Sequence, residues 1–180
     1  HEAMILDLQY LCALWLSVED GEPDDYQRAE ALVPNDMVRF LEASSESLVA
    51  AELSLDFAQH RAPQEPFLGP RGETIAYPLG SVKLRPPVPR PGKLICIGRN
   101  DKSLYKEGEA YHERPMSWLA PSSSIIGHED AIVRPIGTRQ LDYEVELAVV
   151  IGTPGKHIPP ERALDYVAGY TVLNDLMDVE

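Results

Sequence analysis

Proline constrains this chain more than any other residue type. Eight of the sixteen prolines fall between residues 63 and 91, and four of these lie within residues 86–91. Because proline fixes φ and lacks a backbone N–H, this stretch favours neither a long helix nor a central strand. We therefore predict an extended connector over residues 63–91. It would separate a small N-terminal region, residues 1–62, from a second domain, residues 92–180.

Acidic residues are concentrated at the N-terminal end. The chain has a formal net charge of −13, and its first 60 residues hold thirteen acids but only two bases, Arg28 and Arg39. Such a charge repels nucleic acid, and the sequence has no basic stripe to oppose that repulsion. Hydrophobic residues make up 44% and charged residues 25% of the chain, which is typical of a globular protein.

The apolar run over residues 4–16 and the two cysteines bear on the cellular compartment. Asp7 and Gln9 interrupt the run, no basic segment precedes it, and it is too short to span a bilayer. Cys12 and Cys96 lie in separate apolar segments, which excludes a disulfide scaffold or a zinc knuckle. These features predict reduced, buried thiols. We expect a cytoplasmic protein, with the mitochondrial matrix as the alternative, that binds neither membrane nor nucleic acid.

Helix signals are clearest within the N-terminal region. Asn35 and Asp36 can cap a short helix that runs to Glu42, and Ser44 and Ser45 can cap a second helix. Apolar side chains with helical spacing predict the buried face of this second helix: Leu48, Ala51, Leu55 and Ala58.

After residue 91, short β-type runs alternate with glycine and proline. We predict strands at residues 93–98, 131–133, 143–151 and 167–173, with a short helical segment begun by Pro159-Pro160-Glu161. The spacing is too irregular for repeated βαβ units, and the sequence has no glycine-rich phosphate loop. The predicted fold class is α+β and β-rich, with a mixed or antiparallel sheet.

The strand around residues 141–151 carries the most informative polar side chains. Glu144 and Glu146 lie on the same face, with Cα atoms about 7 Å apart, and Asp175 closes the next apolar strand. Three carboxylates suit Mg²⁺ or Mn²⁺, although an isolated Glu-x-Glu pair is more often simply solvated. From the residues alone, a metal site and a solvated pair of glutamates both stay open. The apolar end of the strand predicts burial on both of its faces.

Four blocks of the C-terminal half resemble the catalytic domain of the fumarylacetoacetate hydrolase family. In chain order they are KLICIGRN at residues 93–100, PSSSIIG at 121–127, LDYEVELAVVIG at 141–152 and DYVAGYTVLND at 165–175. A weaker resemblance to the family's small N-terminal α/β region covers ALVPNDM at residues 31–37. The resemblance implies a mixed β-roll, of which residues 92–180 are the N-terminal part. We expect either a piece of a longer polypeptide or a shortened paralogue.

The resemblance also implies a function. It suggests a divalent metal, Mg²⁺ or Mn²⁺, held by Glu144, Glu146 and Asp175, and substrate contacts from Arg99, Asn100 and Ser123. The implied substrate is a small 2-oxo or 1,3-diketo acid, whose carbon–carbon bond is hydrolysed as in acylpyruvate or fumarylpyruvate. The resemblance further implies a homodimer.

One part of the family pattern is altered. Family hydrolases place a histidine and a glutamate on a short lid helix to activate water; here Glu107 matches the glutamate, but Leu104 occupies the histidine position. His112, five residues after Glu107, is the candidate replacement in proton transfer. Ala120 also replaces a lysine. The alternatives to a hydrolase are an oxaloacetate-type decarboxylase and a catalytically degenerate paralogue that serves as a binding or scaffold protein.

Overall fold

The computed structural model describes residues 3–21, 25–43, 45–61, 67–107 and 114–179. These residues form four α-helices and eight short strands, which confirms the predicted α+β class. The chain divides into two compact units, one made of His1–Lys83 with Ala131–Glu180 and the other of Leu84–Asp130. The predicted domain division at a connector over residues 63–91 stays a prediction.

The N-terminal region contains one short strand followed by all four helices: β1 (Met4–Leu6), α1 (Leu8–Glu19), α2 (Tyr26–Leu32), α3 (Met37–Glu42) and α4 (Ser45–Arg61). Asp7 caps α1, because its carboxylate accepts the backbone N–H groups of Gln9 at 3.1 Å and Tyr10 at 3.0 Å. Asp36 caps α3 in the same way, accepting the N–H of Arg39 at 3.0 Å, as predicted. Ser44 lies outside the described residues.

Helix α4 buries a stripe of small residues, which are Ser47, Ala50, Ala51, Ser54 and Ala58. The predicted buried face is therefore wrong in its two leucines, since Leu48 and Leu55 are exposed. Ala50 and Ala58 pack instead against residues of α1. Small side chains allow the two helices to approach closely, and the buried Ser54 hydroxyl donates to the Ala50 carbonyl at 2.6 Å.

The core of the N-terminal region lies around α1. Leu11, Cys12 and Ala13 are 0% exposed, as are Ala29 from α2 and Ile75 from the segment before β2 (Ala76–Pro78), which pairs antiparallel with β1. Burial raises the pKa of the Cys12 thiol. Cys12 and Cys96 are not joined by a disulfide, as predicted, but only Cys12 is buried, whereas Cys96 is partly buried. Within the described chain, no helix is long and apolar enough to cross a membrane.

The described part of the proline-rich stretch, residues 67–91, is largely irregular. Apart from β2 it contains a 3-10 turn at Leu79–Ser81 and an isolated antiparallel bridge between Leu68 and Thr74. The predicted absence of long helices is therefore confirmed for these residues.

The remaining strands are β3 (Leu94–Gly98), β4 (Met116–Ala120), β5 (Leu141–Asp142), β6 (Val145–Ile151), β7 (Val167–Asn174) and β8 (Met177–Asp178). They pair antiparallel as β3–β4, β5–β8 and β6–β7, and a 3-10 helix at Pro160–Tyr166 precedes β7 as predicted. Residues 131–133 are irregular, so the strand predicted there is wrong. No described strand lies beside their backbone, and a turn follows at Pro135. The β-roll stays a prediction.

The two faces of the β6–β7 pair differ in burial. Val145, Leu147 and Val172 share one face and are 74%, 68% and 78% exposed. On the other face Ala148 and Leu173 are partly buried. The predicted burial on both faces is therefore wrong, because no element in the described ranges covers the first face.

Candidate metal-binding site

One antiparallel register joins residues 140–150 to residues 169–179. Val145 lies opposite Asn174 in the β6–β7 pair, and Asp142 lies opposite Met177 in the β5–β8 pair. The backbones of Glu144 and Asp175 are hydrogen-bonded between these two pairs. β5–β8 therefore continues the ladder of β6–β7, and the position of every side chain along it follows from this register.

Glu144 and Asp175 occupy directly opposing positions in this ladder. The N–H of Glu144 donates to the carbonyl of Asp175 at 3.2 Å, and the N–H of Asp175 donates to the carbonyl of Glu144 at 2.8 Å. Residues that exchange both bonds have Cα atoms about 5.5 Å apart and side chains on one face. The third carboxylate expected from the sequence therefore lies directly across from the first.

Glu146 completes the set on the same face. It lies two residues after Glu144, opposite Leu173, so the strand's alternation directs its side chain to the side that Glu144 and Asp175 occupy. The register thus brings all three predicted ligands to one end of the β6–β7 pair. Glu144 and Glu146 are exposed, and Asp175 is partly buried.

The chemistry of these three carboxylates fits a divalent cation. Like charges that face each other across a ladder are destabilising, and none of the three forms an ion pair with a residue that the structure describes. Carboxylate oxygens are the donors that Mg²⁺ and Mn²⁺ prefer. The side chains have not converged, since the described ranges contain no group of three Asp, Glu, His or Cys in a metal-holding arrangement. Side-chain rotation is still required to gather the donors.

Asp142 is a further acid that sequence reasoning did not single out. It precedes Glu144 by two residues, so the sequence carries an acid at every second position from 142 to 146. This spacing of two residues is the sequence signal that could have identified Asp142. In the structure the Asp142 carboxylate accepts a hydrogen bond from the backbone N–H of the adjacent residue, Tyr143, at 2.8 Å.

Arg99 and Asn100 follow directly after β3, in the other compact unit. Both are exposed, and Arg99 has φ +52°, a left-handed conformation that is uncommon for residues other than glycine. The Arg99 guanidinium carbon lies 4.9 Å from the centre of the Tyr105 ring, and the Tyr105 hydroxyl donates to the Arg99 carbonyl at 3.0 Å. Tyr105 is the second residue that the sequence reasoning missed.

Ser123 lies at the centre of a 3-10 turn, Ser122–Ser124. The hydroxyls of its neighbours are occupied, because Ser122 donates to the Pro91 carbonyl at 2.6 Å and Ser124 to the Pro121 carbonyl at 2.7 Å. Ser123 itself is exposed and, among the described residues, its hydroxyl has no hydrogen-bond partner. It is the serine of this turn whose hydroxyl remains available to a ligand.

Comparison with known families identifies the C-terminal half. Residues 93–178 match the model of the fumarylacetoacetate (FAA) hydrolase C-terminal domain. Residues 93–178 are therefore a domain of the fumarylacetoacetate hydrolase family. The matched range contains the three carboxylates, Arg99, Asn100, Glu107 and Ser123.

Several curated relatives of the family carry enzyme names. The chain is 35% identical over 153 residues to oxaloacetate tautomerase Fahd2a, mitochondrial, of Rattus norvegicus, an alignment that covers 84% of this chain and 44% of the relative. It is 44% identical over 108 residues to oxaloacetate tautomerase YisK of Bacillus subtilis, covering 57% and 36%. The chain therefore spans less than half the length of these two relatives.

A solved structure shares the fold. A Mycobacterium smegmatis protein provisionally named HpcE superposes with a TM-score of 0.56 at 27% identity, over 86% of this chain and 49% of that one. The shared fold extends beyond residues 93–178, since the superposition covers more of the chain than the family model does.

The lid segment of the family pattern is described in part. Leu104 ends a 3-10 turn, Lys102–Leu104, which Asp101 caps by accepting the N–H of Ser103 at 2.7 Å. That bond lowers the pKa of Asp101. Glu107 follows the turn and is exposed. His112 lies outside the described residues, so its replacement role stays a prediction.

Proposed function

We propose that the chain carries the catalytic carboxylates of an enzyme that forms and protonates the enolate of a 2-oxo acid, with oxaloacetate as the first candidate substrate and keto–enol tautomerisation as the reaction. The observation that carries this proposal is the opposition of Glu144 and Asp175 in one ladder, with Glu146 on the same face. The tautomerase names of two relatives support the substrate class.

The chain's residues have distinct roles in this proposal. Glu144, Glu146 and Asp175 hold Mg²⁺ or Mn²⁺, and a divalent cation held there supplies Lewis acidity that favours negative charge on a neighbouring carbonyl oxygen. The Glu107 carboxylate accepts the proton from the carbon next to that carbonyl and returns it to the oxygen. Arg99, Asn100 and Ser123 bind the polar groups of the acid.

Tautomerisation needs fewer groups than hydrolysis. Hydrolysis requires a base that activates water, and the leucine at position 104 cannot relay a proton. Tautomerisation requires only proton transfer between carbon and oxygen, which one carboxylate can perform. Loss of CO₂ from oxaloacetate likewise needs only stabilisation of the enolate.

Carbon–carbon bond hydrolysis of an acylpyruvate is the second candidate. It is favoured by the glutamate at position 107, which the family's hydrolases pair with histidine. This candidate requires His112, or another group near Glu107, to share the activation of water.

A single set of assays separates these reactions. The full 180-residue chain is mixed with Mg²⁺ or Mn²⁺ and either oxaloacetate or acetylpyruvate, and we follow the ultraviolet absorbance of the enol and the release of pyruvate. Cation without protein gives the background rate. We expect faster enol–keto conversion of oxaloacetate and no pyruvate from acetylpyruvate; pyruvate from acetylpyruvate would instead establish the hydrolase.

The metal site has its own test. Glu144→Gln and Asp175→Asn should weaken Mn²⁺ binding, followed by electron paramagnetic resonance, by at least about a hundredfold. Glu161→Gln, which removes an exposed carboxylate from the 3-10 helix at Pro160–Tyr166, is the matched control and should change nothing. Absence of both Mn²⁺ binding and catalysis in the unmodified chain would favour the non-catalytic binding or scaffold paralogue.

A further inference from the structure

We propose that Tyr105 is a positioning residue that holds the Arg99 guanidinium in place to receive a carboxylate of the substrate. The inference rests on the proposed function, because it assigns Arg99 a carboxylate ligand. The contacts that support it do not involve the metal site, since they lie within residues 98–105 of the compact unit Leu84–Asp130.

Arg99 adopts a backbone conformation that needs support. Its φ of +52° brings the Cβ atom close to the peptide carbonyl, and such conformations persist in non-glycine residues only where neighbouring groups hold them. Glycine precedes it at position 98, but the left-handed residue is the arginine. A long, charged side chain thus stands at a position that would be easier for glycine to occupy.

Tyr105 contacts Arg99 at both its backbone and its side chain. The Tyr105 hydroxyl donates to the Arg99 carbonyl at 3.0 Å, which supports the left-handed backbone. The Tyr105 ring lies beneath the guanidinium, 4.9 Å from its central carbon, within the range of a cation–π contact. One side chain therefore restricts Arg99 at two points.

Tyr105 is itself held by the turn that precedes it. Its N–H donates to the Lys102 carbonyl at 3.2 Å, and Asp101 caps the same turn through Ser103. The chain from Arg99 to Tyr105 thereby forms a closed loop whose ends are joined by the tyrosine hydroxyl. A cation–π contact engages the face of a guanidinium, whereas bidentate binding of a carboxylate uses the N–H groups at its edge, so the two contacts use different parts of the Arg99 side chain.

A restrained guanidinium loses less conformational freedom when it binds an anion than a freely rotating one does. Tyr105 should therefore act on affinity for the acid rather than on the proton transfer itself. This distinguishes a positioning residue from one that only stabilises the fold.

The test uses the full 180-residue chain and oxalate, a dianion with two adjacent carboxylates, titrated by calorimetry in the presence of Mg²⁺. Tyr105→Leu removes both contacts and should weaken oxalate binding about fivefold, whereas Tyr105→Phe keeps the ring and should weaken it no more than about twofold. With oxaloacetate, KM should rise in parallel while kcat stays unchanged.

Tyr77 provides the matched control. Its hydroxyl donates to the Thr74 carbonyl at 3.0 Å, which repeats the hydrogen bond of Tyr105 in another part of the chain. Tyr77→Leu should leave oxalate binding unchanged. Equal effects of Tyr77→Leu and Tyr105→Leu would overturn the positioning role.

Arg99→Gly tests the arginine without depending on the tyrosine variants. Glycine accepts the positive φ without strain, so this variant should melt no lower than the unmodified chain, yet bind oxalate at least about tenfold more weakly. Unchanged oxalate binding by Arg99→Gly or by Tyr105→Leu, in a chain that still converts oxaloacetate, would overturn this inference alone. A chain that neither binds oxalate nor converts oxaloacetate would overturn the proposed function and this inference together.

Discussion

Apolar side chains are buried in the helical N-terminal region but exposed on one face of the β6–β7 pair. Leu11 in α1 is 0% exposed, whereas Leu147 in β6 is 68% exposed, although each lies in the most apolar segment of its region. The helices hold together by burying side chains among themselves. In the described structure, the two strands are joined by the backbone hydrogen bonds of their antiparallel ladder. The candidate site therefore depends on strand register rather than on a packed core.

The largest expected effect tests the helical side of this comparison. Leu11→Ala should destabilise the chain by about 3 kcal/mol, because it opens a cavity beside Ala58 and Ile75 in a fully buried cluster. Urea unfolding followed by circular dichroism measures the free energy of unfolding. A loss below about 1 kcal/mol would mean that this core is looser than its burial indicates.

Alkaline pH should also weaken the helical region. Burial, reinforced by the neighbouring Glu73 carboxylate, raises the pKa of Tyr26 to about 12 from an ordinary value of about 10. The folded state therefore retains a proton that the unfolded state releases, so stability is full below pH 10 and falls as pH rises from 10 to 12. Unfolding measured at pH 9 and pH 11 should show this fall, and Tyr26→Phe should flatten it. An identical slope in Tyr26→Phe would assign the fall to other groups.

A smaller effect tests the acidic face of the strands. Without divalent cation, Glu144→Gln should raise the free energy of unfolding by about 0.5 kcal/mol, because it relieves the repulsion between opposing carboxylates. With Mn²⁺ present the sign should reverse, since only the unmodified chain gains binding energy. Melting curves with Mn²⁺ and with a chelator measure both states. Destabilisation by Glu144→Gln in the chelated state would show that the acids are not in repulsion.

The smallest effect tests the exposed apolar face. Leu147→Thr should change stability by less than about 0.5 kcal/mol, since an exposed position in a strand tolerates threonine well. Sedimentation measured in parallel tests the homodimer, which stays a prediction. A shift from dimer to monomer, or a loss above 1 kcal/mol, would show that a second copy covers this face in solution.

Local signals were predictable because they act over a few residues. Three elements depend mainly on side chains within the same short segment: the cap at Asp36, the strand after Lys93 and the 3-10 helix at Pro160. The failures involve distant partners. The spacing of Leu48 alone predicts that it lies on the buried face of α4, but close packing against α1 selects the small residues instead. The segment at 131–133 has suitable residues for a strand but no described neighbour to pair with.

The sequence by itself determined the family, through the resemblance of four blocks, and the α+β class, through residue types and short spacings. It also supplied the three carboxylates, whose role as metal ligands stays a prediction. Only the tertiary structure decided that Asp175 lies directly opposite Glu144, since a strand register depends on backbone hydrogen bonds between segments about thirty residues apart. It also decided the pairing of Arg99 with Tyr105. That contact requires the backbone to turn at Arg99 with a positive φ, which no side-chain pattern around an arginine predicts.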